Sequence, residues 1–295
     1  MQFAKKIGLL LGPLLFFIIN FLPFTLVSET RDAVISVAIW MVIWWITETV
    51  NIAVTALLPL LLFPLLKVMP IADVGANYGS PIIFLFFGGF VLALALEKVN
   101  LHKRIALNIV KLTGTTPEKV VLGFMLATAF MSMWISNTAS TVVMLPIAIS
   151  VIKLLIDDKD GFTKGDQNFA LSIMLGIAFA ANAGGIVTVI GTPPNSVLIG
   201  LLENQYNIQI SFLTWMSFGL PFSILMIIAV YFVLVKWMFP CKGIVFTSSA
   251  NLISEEIIKL GKISKEEKRV LTIFAITVFL WITRTLINSI FPYAL

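Results

Sequence analysis

Charged residues are scarce in this sequence, and their scarcity excludes an ordinary soluble domain. Asp, Glu, Lys and Arg make up 12% of the 295 residues, about half the share found in typical soluble domains. Long runs contain none of them: 7–28, 33–47, 49–66, 74–96, 120–152, 167–202, 204–235 and 270–283. Because a membrane-spanning helix needs about 20 mainly apolar residues, we predict an all-α polytopic membrane protein that lies in a lipid bilayer.

Cysteine and histidine are almost absent, which excludes several kinds of site. Cys241 is the only cysteine, so no internal disulfide can form, and His102 is the only histidine, so a His-based metal cluster or catalytic triad is excluded. No acid, base or nucleophile constellation falls at membrane depth. The 20 basic residues are too scattered for a nucleic-acid surface. We therefore predict no enzymatic activity, no cofactor and no nucleic-acid partner.

The apolar runs predict about seven transmembrane helices, at about 7–27, 32–47, 51–66, 80–97, 168–203 (interrupted), 211–238 and 270–290. With the N-terminus in the cytoplasm, all of the 20 Lys and Arg residues except Arg31, Lys67 and Arg284 lie on the cytoplasmic side, as the positive-inside rule expects.

No A-x-A cleavage pattern follows the first run, so we predict a retained signal-anchor helix. The location would be the plasma membrane, meaning the bacterial cell membrane or inner membrane.

Two charged segments predict helices near the cytoplasmic surface. One helical face of segment 100–112 carries the apolar residues Leu101, Ile105, Ile109 and Leu112. Basic residues lie elsewhere on that helix, as in helices that lie on a membrane. Segment 251–269 is a weaker and more charged version. A plain linker helix is the simpler interpretation of both segments.

The stretch MWISNTAST at 133–141 interrupts a charge-free run with the polar residues Ser136, Asn137, Thr138, Ser140 and Thr141. The run is too long for one straight span, and each arm of about 16 residues is slightly short of a crossing. Ser, Asn and Thr favour turns and helix starts, so Asn137 or Thr138 can cap a second helix that begins near Ala139. We predict a re-entrant helical hairpin whose tip is buried in protein or faces water, because lipid cannot satisfy its backbone.

A second interruption follows in AGGIVTVIGTPPNS at 183–196. The paired glycines at 184–185 permit unusual backbone angles, and the paired prolines at 193–194 remove two amide donors. We predict a helix over about 168–183, then an irregular loop, then a short helix that begins at the first proline with Thr192 as its cap.

Two breaks at similar membrane depth are typical of secondary transporters. There, half-helix N-termini present free N–H groups to anions, and unwound carbonyls coordinate the coupling cation. Hydroxyl and amide oxygens are hard, neutral ligands; without a charge they hold an alkali cation weakly, so an anionic substrate could supply the missing charge. Either break alone is also compatible with ordinary helix packing or a kink. The two together favour a binding site.

Three stretches resemble the divalent anion/sodium symporter family. SMWISNTAS (132–140) looks like the Ser-Asn-Thr motif at the tip of that family's first hairpin, and IGTPPN (190–195) is similar to the loop that breaks its fifth transmembrane helix. WWITETVNIAVTALLPLLLFPLLKV (44–68) looks like its early signature. The resemblance implies sodium-coupled symport of a small anion such as succinate, malate, fumarate or citrate. It also implies a homodimer and an elevator motion of a transport domain against a scaffold.

The resemblance further implies which residues form the site. Sodium, as the coupling ion, would bind at Ser132, Ser136, Asn137, Gly185 and Gly191. The substrate would bind at Asn137, Thr138, Thr192, Pro193 and Asn195.

The family builds its site from two inverted repeats, whereas one Ser-Asn-Thr hairpin, at 136–138, occurs in this sequence. The resemblance therefore implies the first of two repeats and a missing C-terminal half that activity would need. The domains would be an N-terminal helix (1–30), scaffold-type helices with an interfacial helix (31–112), a transport-domain part (113–210), a scaffold-type helix with a cytoplasmic helix (211–269) and the truncated start of a second repeat (270–295). Three alternatives stay open: a sodium-independent carboxylate exchanger, a sulfate transporter and, in another class, a non-transporting membrane partner subunit.

Overall fold

A computed structural model describes residues 2–21, 28–114, 116–155, 163–241 and 257–290. These residues form helices and their connections and contain no strand, which confirms the all-α class. The helices are α1 (Gln2–Phe21), α2 (Glu29–Thr47), α3 (Ile52–Thr55), α4 (Leu58–Leu65), α5 (Ile71–Tyr78), α6 (Pro81–Lys98), α7 (Leu101–Thr113), α8 (Pro117–Ser132), α9 (Asn137–Leu155), α10 (Lys164–Gly185), α11 (Pro193–Tyr206), α12 (Phe212–Tyr231), which continues as a π-helical segment (Phe232–Met238), and α13 (Lys265–Ile290).

Five helical segments of the described chain are long and apolar enough to cross a bilayer: Phe3–Phe21, Thr30–Thr47, Ile71–Lys98, Lys164–Gly185 and Phe212–Met238. They agree with a polytopic membrane protein and with five of the predicted spans. Their number is below the predicted count of about seven.

The two remaining predicted spans are 51–66, which has a different structure, and 270–290, which is a continuous helix as predicted. Segment 51–66 forms two short helices, α3 and α4, and proline lies in the first turn of α4. Proline fits a helix start because its missing N–H is not needed there, so the chain begins a new helix instead of continuing the old one. Segment 270–290 lies within α13, whose threonines at 272, 277 and 283 donate hydrogen bonds back to their own helix.

The chain divides into two compact units, residues 1–84 and 85–295. In the first unit, α1 and α2 form an antiparallel pair. Trp44 Nε1 donates to the carbonyl oxygen of Gly8 (3.1 Å) near one end of the pair, and Asn20 Nδ2 donates to Ser36 Oγ (2.6 Å) towards the other.

Helices α7 to α10 form the core of the second unit, where Phe124 and Met125 are wholly buried. Helices α8 and α10 run parallel, because Gly176 faces Met125 and, farther along both helices, Gly184 faces the backbone of Ala129. The end of α8 and the start of α10 lie at opposite ends of this parallel pair. Because α9 connects them, α9 runs antiparallel to both helices. The last residues of α8 and α10 and the first residues of α9 therefore meet at one end of the bundle.

Helix α7 confirms the predicted helix but buries a different face. The residues packed in the core are Leu101, Ala106, Leu107 and Val110, together with His102. Leu112, which was predicted on the membrane-facing stripe, is 85% exposed. Packing against α8 therefore selects a face that the apolar periodicity of the sequence did not indicate.

The predicted helix at 251–269 is interrupted in the part that the structure describes; residues 251–256 lie outside it. Gly261 has a φ of +65°, and α13 begins only after Ser264. Ser264 and Glu267 cap that helix reciprocally, since Glu267 N donates to Ser264 Oγ (3.0 Å) and Ser264 N donates to Glu267 Oε2 (2.6 Å). Arg104 of α7 completes the arrangement, with its Nε 2.7 Å from Glu267 Oε1.

Whether α8 and α9 form a re-entrant hairpin is a prediction about the membrane. We expect Lys119, at the start of α8, and Lys153, near the end of α9, to lie on the same cytoplasmic side. Both side chains are exposed. Single cysteines at these two positions, in a Cys241→Ser background, should both be protected from an impermeant thiol reagent added to whole cells.

Two controls accompany this labelling. Arg31→Cys, predicted outside, should react in whole cells, and permeabilised cells should label all three positions. The replaced Cys241 thiol is buried, and burial raises its pKa, so the substitution removes a poorly reactive group. Labelling of both hairpin positions from outside would reverse the orientation, and labelling of one alone would mean that the segment crosses the membrane once.

Candidate functional site

The tip between α8 and α9 is a short non-helical stretch, residues 133–136. The second helix begins at Asn137, and Ser136 is its cap, because Ala139 N donates to Ser136 Oγ (3.2 Å). The predicted cap, Asn137 or Thr138, is therefore wrong by one or two residues. The physical reason is that the Asn137 amide is bonded to Ser132 at the end of α8 and to Asn182 in α10.

Ser132, the last residue of α8, lies next to the tip and is wholly buried. Its Oγ is 2.7 Å from the carbonyl oxygen of Ala181 and 2.8 Å from Asn137 Oδ1. Both neighbours are acceptors, and one hydroxyl can donate a single proton. The Ser132 hydroxyl, the Asn137 amide and the Ala181 carbonyl therefore converge in a place that is closed to solvent around Ser132.

Asn137 joins this oxygen cluster to α10. Its Nδ2 donates to Asn182 Oδ1 (3.1 Å). A Cβ atom on Gly185 would collide with Asn137 Oδ1, so glycine is required there for the amide to lie against the end of α10. The predicted sodium residues Ser132, Asn137 and Gly185 are therefore brought together.

The second break lies where the sequence placed it. Helix α10 ends at Gly185, and α11 begins at Pro193 after Thr192, which has the extended backbone of a cap residue (φ −149°, ψ 141°). Asn195 secures the loop between them: its Nδ2 donates to the carbonyl oxygens of Gly185 (2.9 Å) and Thr188 (2.8 Å).

Further hydrogen bonds fix the loop to its surroundings. Ser196 Oγ donates to the carbonyl oxygen of Val189 (2.8 Å), and Trp215 Nε1 of α12 donates to that of Ile186 (2.9 Å). Thr188 Oγ1 donates to the carbonyl oxygen of Met133 at the hairpin tip. The two breaks are thus hydrogen-bonded to each other directly.

The two helix starts differ in what they can offer an anion. The first-turn N–H groups of α9, at Asn137 and Thr138, have no acceptor within their own helix. At α11, the prolines at 193–194 have no N–H, and Asn195 N donates to the carbonyl oxygen of Thr192 (3.1 Å). The expectation that both half-helices present free N–H groups is therefore correct for α9 and wrong for α11, because proline and the cap geometry remove the donors.

An open depression of about 260 Å³ lies at the start of α9, lined by Asn137, Thr138, Thr141, Val142, Ala178, Ala181 and Asn182. Of the predicted substrate residues, Asn137 and Thr138 line it, whereas Thr192, Pro193 and Asn195 do not, and their contact with a substrate stays a prediction.

The remaining predicted sodium residues lie at the edges of the cluster. Gly191 faces the carbonyl oxygen of Gly185, where a Cβ atom would lie 2.5 Å away. Ser136 Oγ accepts the cap hydrogen bond described above. Sodium binding at these residues stays a prediction.

Asn182, Thr188 and Trp215 are site residues that sequence reasoning missed. Asn182 had a detectable signal, since it is an amide in a charge-free run immediately before the Ala-Gly-Gly that opens the second break. Thr188 and Trp215 had none, because their roles depend on tertiary contacts. In the described part of the chain, His, Cys, Asp and Glu residues form no group of three or more that could hold a metal ion, so a cation at the tip would be held by neutral oxygens.

Comparison with known proteins identifies the family of this chain. The family model described as citrate transporter (CitMHS) matches residues 42–295. The sodium-dependent dicarboxylate transporter SdcS of Staphylococcus saprophyticus is 41% identical over 285 residues, which cover 95% of this chain and 55% of that relative. The transporter of the same name from Staphylococcus aureus strain USA300 is 41% identical over 286 residues, with the same two coverages.

The chain spans about half the length of the curated relatives it matches. The prediction of a missing C-terminal half gains no support from these alignments, which take in 95% of this chain, and it is not carried further. A family model that matches most of the chain is decisive for the family itself, so this chain belongs to the citrate transporter family, within the divalent anion/sodium symporters that its motifs resemble.

Proposed function

We propose that this protein is a secondary active transporter that couples sodium entry to the uptake of di- or tricarboxylates. The observation that carries the proposal is the cluster of Ser132 Oγ, the Asn137 amide and the Ala181 carbonyl at the junction of two helix ends. A cation bound there would be coordinated by these neutral oxygens. Hard neutral oxygens suit a hard alkali cation.

The start of α9 is the proposed site for one carboxylate of the substrate. Its free N–H groups and the positive end of its dipole favour an anion. The hydroxyl groups of Thr138 and Thr141 and the amide of Asn182 line the same depression. Asn137 belongs to both sites, so sodium and carboxylate would stabilise each other across a single side chain.

The relatives support carboxylates as the substrate class. Two of them are named sodium-dependent dicarboxylate transporters, and the family description names citrate. We propose succinate, malate, fumarate and citrate as substrates on that basis, and the plasma membrane as the location, with the N-terminus in the cytoplasm.

We further propose that α8, α9, α10 and the loop before α11 move as one body in an elevator mechanism, in a homodimer. The side-chain hydroxyl of Ser132 donates to the backbone carbonyl of Ala181, and that of Thr188 donates to the backbone carbonyl of Met133. These two hydrogen bonds join the elements to one another. A site assembled in this way can change its depth in the membrane without losing its geometry.

The test is uptake of radiolabelled succinate by the purified protein in proteoliposomes, with an inward gradient of sodium or, as the matched control, of choline. We expect uptake with sodium that is several-fold above uptake with choline, and competition by unlabelled malate, fumarate and citrate.

Each other outcome assigns a different function. Equal uptake with and without sodium, dependent on internal carboxylate, would identify an exchanger. Uptake of sulfate but not succinate would identify a sulfate transporter. No uptake of either by protein that melts cooperatively would support a non-transporting partner subunit.

A further inference from the structure

A second cavity lies in the first compact unit, where the beginning of α1 meets the end of α2. It measures about 370 Å³ and is lined by Lys5, Glu48, Thr49, Val50, Asn51 and Ile52. Thr49 Oγ1 donates to the carbonyl oxygen of Lys5 (3.0 Å) and fixes the two chain segments to each other. Because α1 and α2 are antiparallel segments long enough to span a bilayer, this junction lies at one membrane surface.

The cavity combines a cation and an anion in the same lining. Lys5 and Glu48 are both exposed, so their charged groups are accessible to a ligand. Glu48 occupies the C-cap of α2 with a left-handed backbone (φ 48°, ψ 37°). The chain therefore turns at Glu48 itself, and Thr49 to Ile52 form the opposite wall.

Apolar side chains beside the cavity face outward. Ile46 is 78% exposed and Ile52 is 64% exposed. Trp45 stands next to them, and its Nε1 donates to the carbonyl oxygen of Ile52 (3.3 Å). Tryptophan is enriched where a protein crosses the membrane–water interface. A cavity with charged groups in its lining and apolar side chains beside it fits an amphiphilic ligand better than a soluble ion.

We propose that this cavity binds the headgroup of an aminophospholipid, a lipid that carries both a phosphate and a primary ammonium. Lys5 pairs with the phosphate, Glu48 accepts hydrogen bonds from the ammonium, and the acyl chains run along Trp45, Ile46 and Ile52. Basic groups at the ends of membrane helices are known lipid-headgroup partners, and the cavity is open to the surroundings, as a site for the headgroup of a bilayer lipid must be. The site belongs to the first unit and is separate from the oxygen cluster at Ser132.

The test is native mass spectrometry of the purified protein with phosphatidylethanolamine, phosphatidylglycerol and phosphatidylcholine of identical acyl chains. Phosphatidylglycerol has no ammonium, and the quaternary ammonium of phosphatidylcholine cannot donate a hydrogen bond. We expect phosphatidylethanolamine to be retained about two- to fivefold more than either, the range that exposed charge pairs produce. Glu48→Gln should remove this preference, and Lys5→Gln should lower the retention of all three lipids, because each of them carries the phosphate.

Matched controls are Lys6→Gln, a neighbouring exposed lysine outside the lining, and Glu203→Gln, an exposed glutamate at the end of α11. Both should keep the preference. Equal retention of the three lipids, unchanged retention of all three in Lys5→Gln, or an equal loss of retention in Lys6→Gln would overturn the proposal. If soluble glycerophosphoethanolamine displaces the lipid at equal concentration, the ligand is a free aminophosphate and the lipid assignment is wrong. Lys5 is exposed, so its variant still tests the phosphate contact if Glu48→Gln fails to fold, and the comparison of the three lipids on the unchanged protein tests the ammonium contact.

Discussion

Replacement of Asn137 by alanine is expected to weaken sodium activation and carboxylate uptake together. The side chain places Oδ1 2.8 Å from Ser132 Oγ and Nδ2 3.1 Å from Asn182 Oδ1. Alanine removes one oxygen from the proposed cation site and one hydrogen bond from α10. Loss of a polar partner at such a site costs about 1–3 kcal/mol, which corresponds to about tenfold or more in sodium affinity. The measurement is the initial rate of succinate uptake into proteoliposomes as a function of sodium concentration.

Asn204→Ala is the matched control for this substitution. Asn204 is an exposed asparagine in α11, and its removal should leave the sodium dependence unchanged. The melting temperature of both variants in detergent establishes that they are folded. A folded Asn137→Ala protein with the sodium dependence of the unchanged protein would remove this residue from the site.

Replacement of Arg104 by glutamine is expected to destabilise the protein by about 2–3 kcal/mol. The guanidinium group donates to both carboxylate oxygens of Glu267 (2.7 and 3.2 Å) and to the carbonyl oxygens of Gly261 (3.0 Å) and Leu260 (3.1 Å). Removing one partner of a fully buried ion pair costs about 3–5 kcal/mol. The cost here is smaller because 14% of the Arg104 side chain still reaches solvent.

The destabilisation should depend on pH in a defined direction. Hydrogen bonds from Arg104 hold the pKa of Glu267 below its ordinary value of 4.5. A carboxyl whose pKa is lowered in the folded state stabilises that state above its ordinary pKa, and the contribution is lost as the pH falls through the lowered value. The melting-temperature difference between the unchanged protein and Arg104→Gln should therefore be full at pH 7 and shrink below about pH 4.5.

Two variants separate this ion pair from general effects of charge. Lys111→Gln removes an exposed cation of the same helix and should leave the melting temperature unchanged. Arg104→Gln combined with Glu267→Gln should be more stable than Arg104→Gln alone, because no unpaired carboxylate is left in a buried place. A destabilisation of Arg104→Gln that is equally large at pH 4 and pH 7 would show that packing, and not the ion pair, holds α7 to the start of α13.

The two breaks were predictable because their causes are local. The prolines at 193–194 cannot continue a helix, and Thr192 is the cap residue that the structure contains. The Ser-Asn-Thr stretch also marks the hairpin tip correctly. The cap itself was misplaced at Asn137 or Thr138, since a sequence does not show that the Asn137 amide is engaged by Ser132 and Asn182 across the tip.

Features that depend on packing between distant segments were not predictable in the same way. The buried face of α7 is chosen by its contact with α8, and the start of α13 by a cap that Arg104 reinforces from α7. Asn195 has the residue type of a substrate ligand, yet both of its amide hydrogens are donated to backbone carbonyls of the adjoining loop. The sequence shows that such polar residues are unusual within an apolar run. Only the folded structure shows which atoms they bond.

The parallel course of α8 and α10 has an electrostatic consequence for the order of events at the tip. Two helix C-termini converge near Ser132 and Gly185, and each carries roughly half a negative elementary charge. Their combined field attracts a cation and repels a carboxylate that approaches the neighbouring start of α9. We therefore expect sodium to enter first and reverse the local sign of the potential, so that the empty protein has little affinity for the anion and substrate cannot cross unaccompanied.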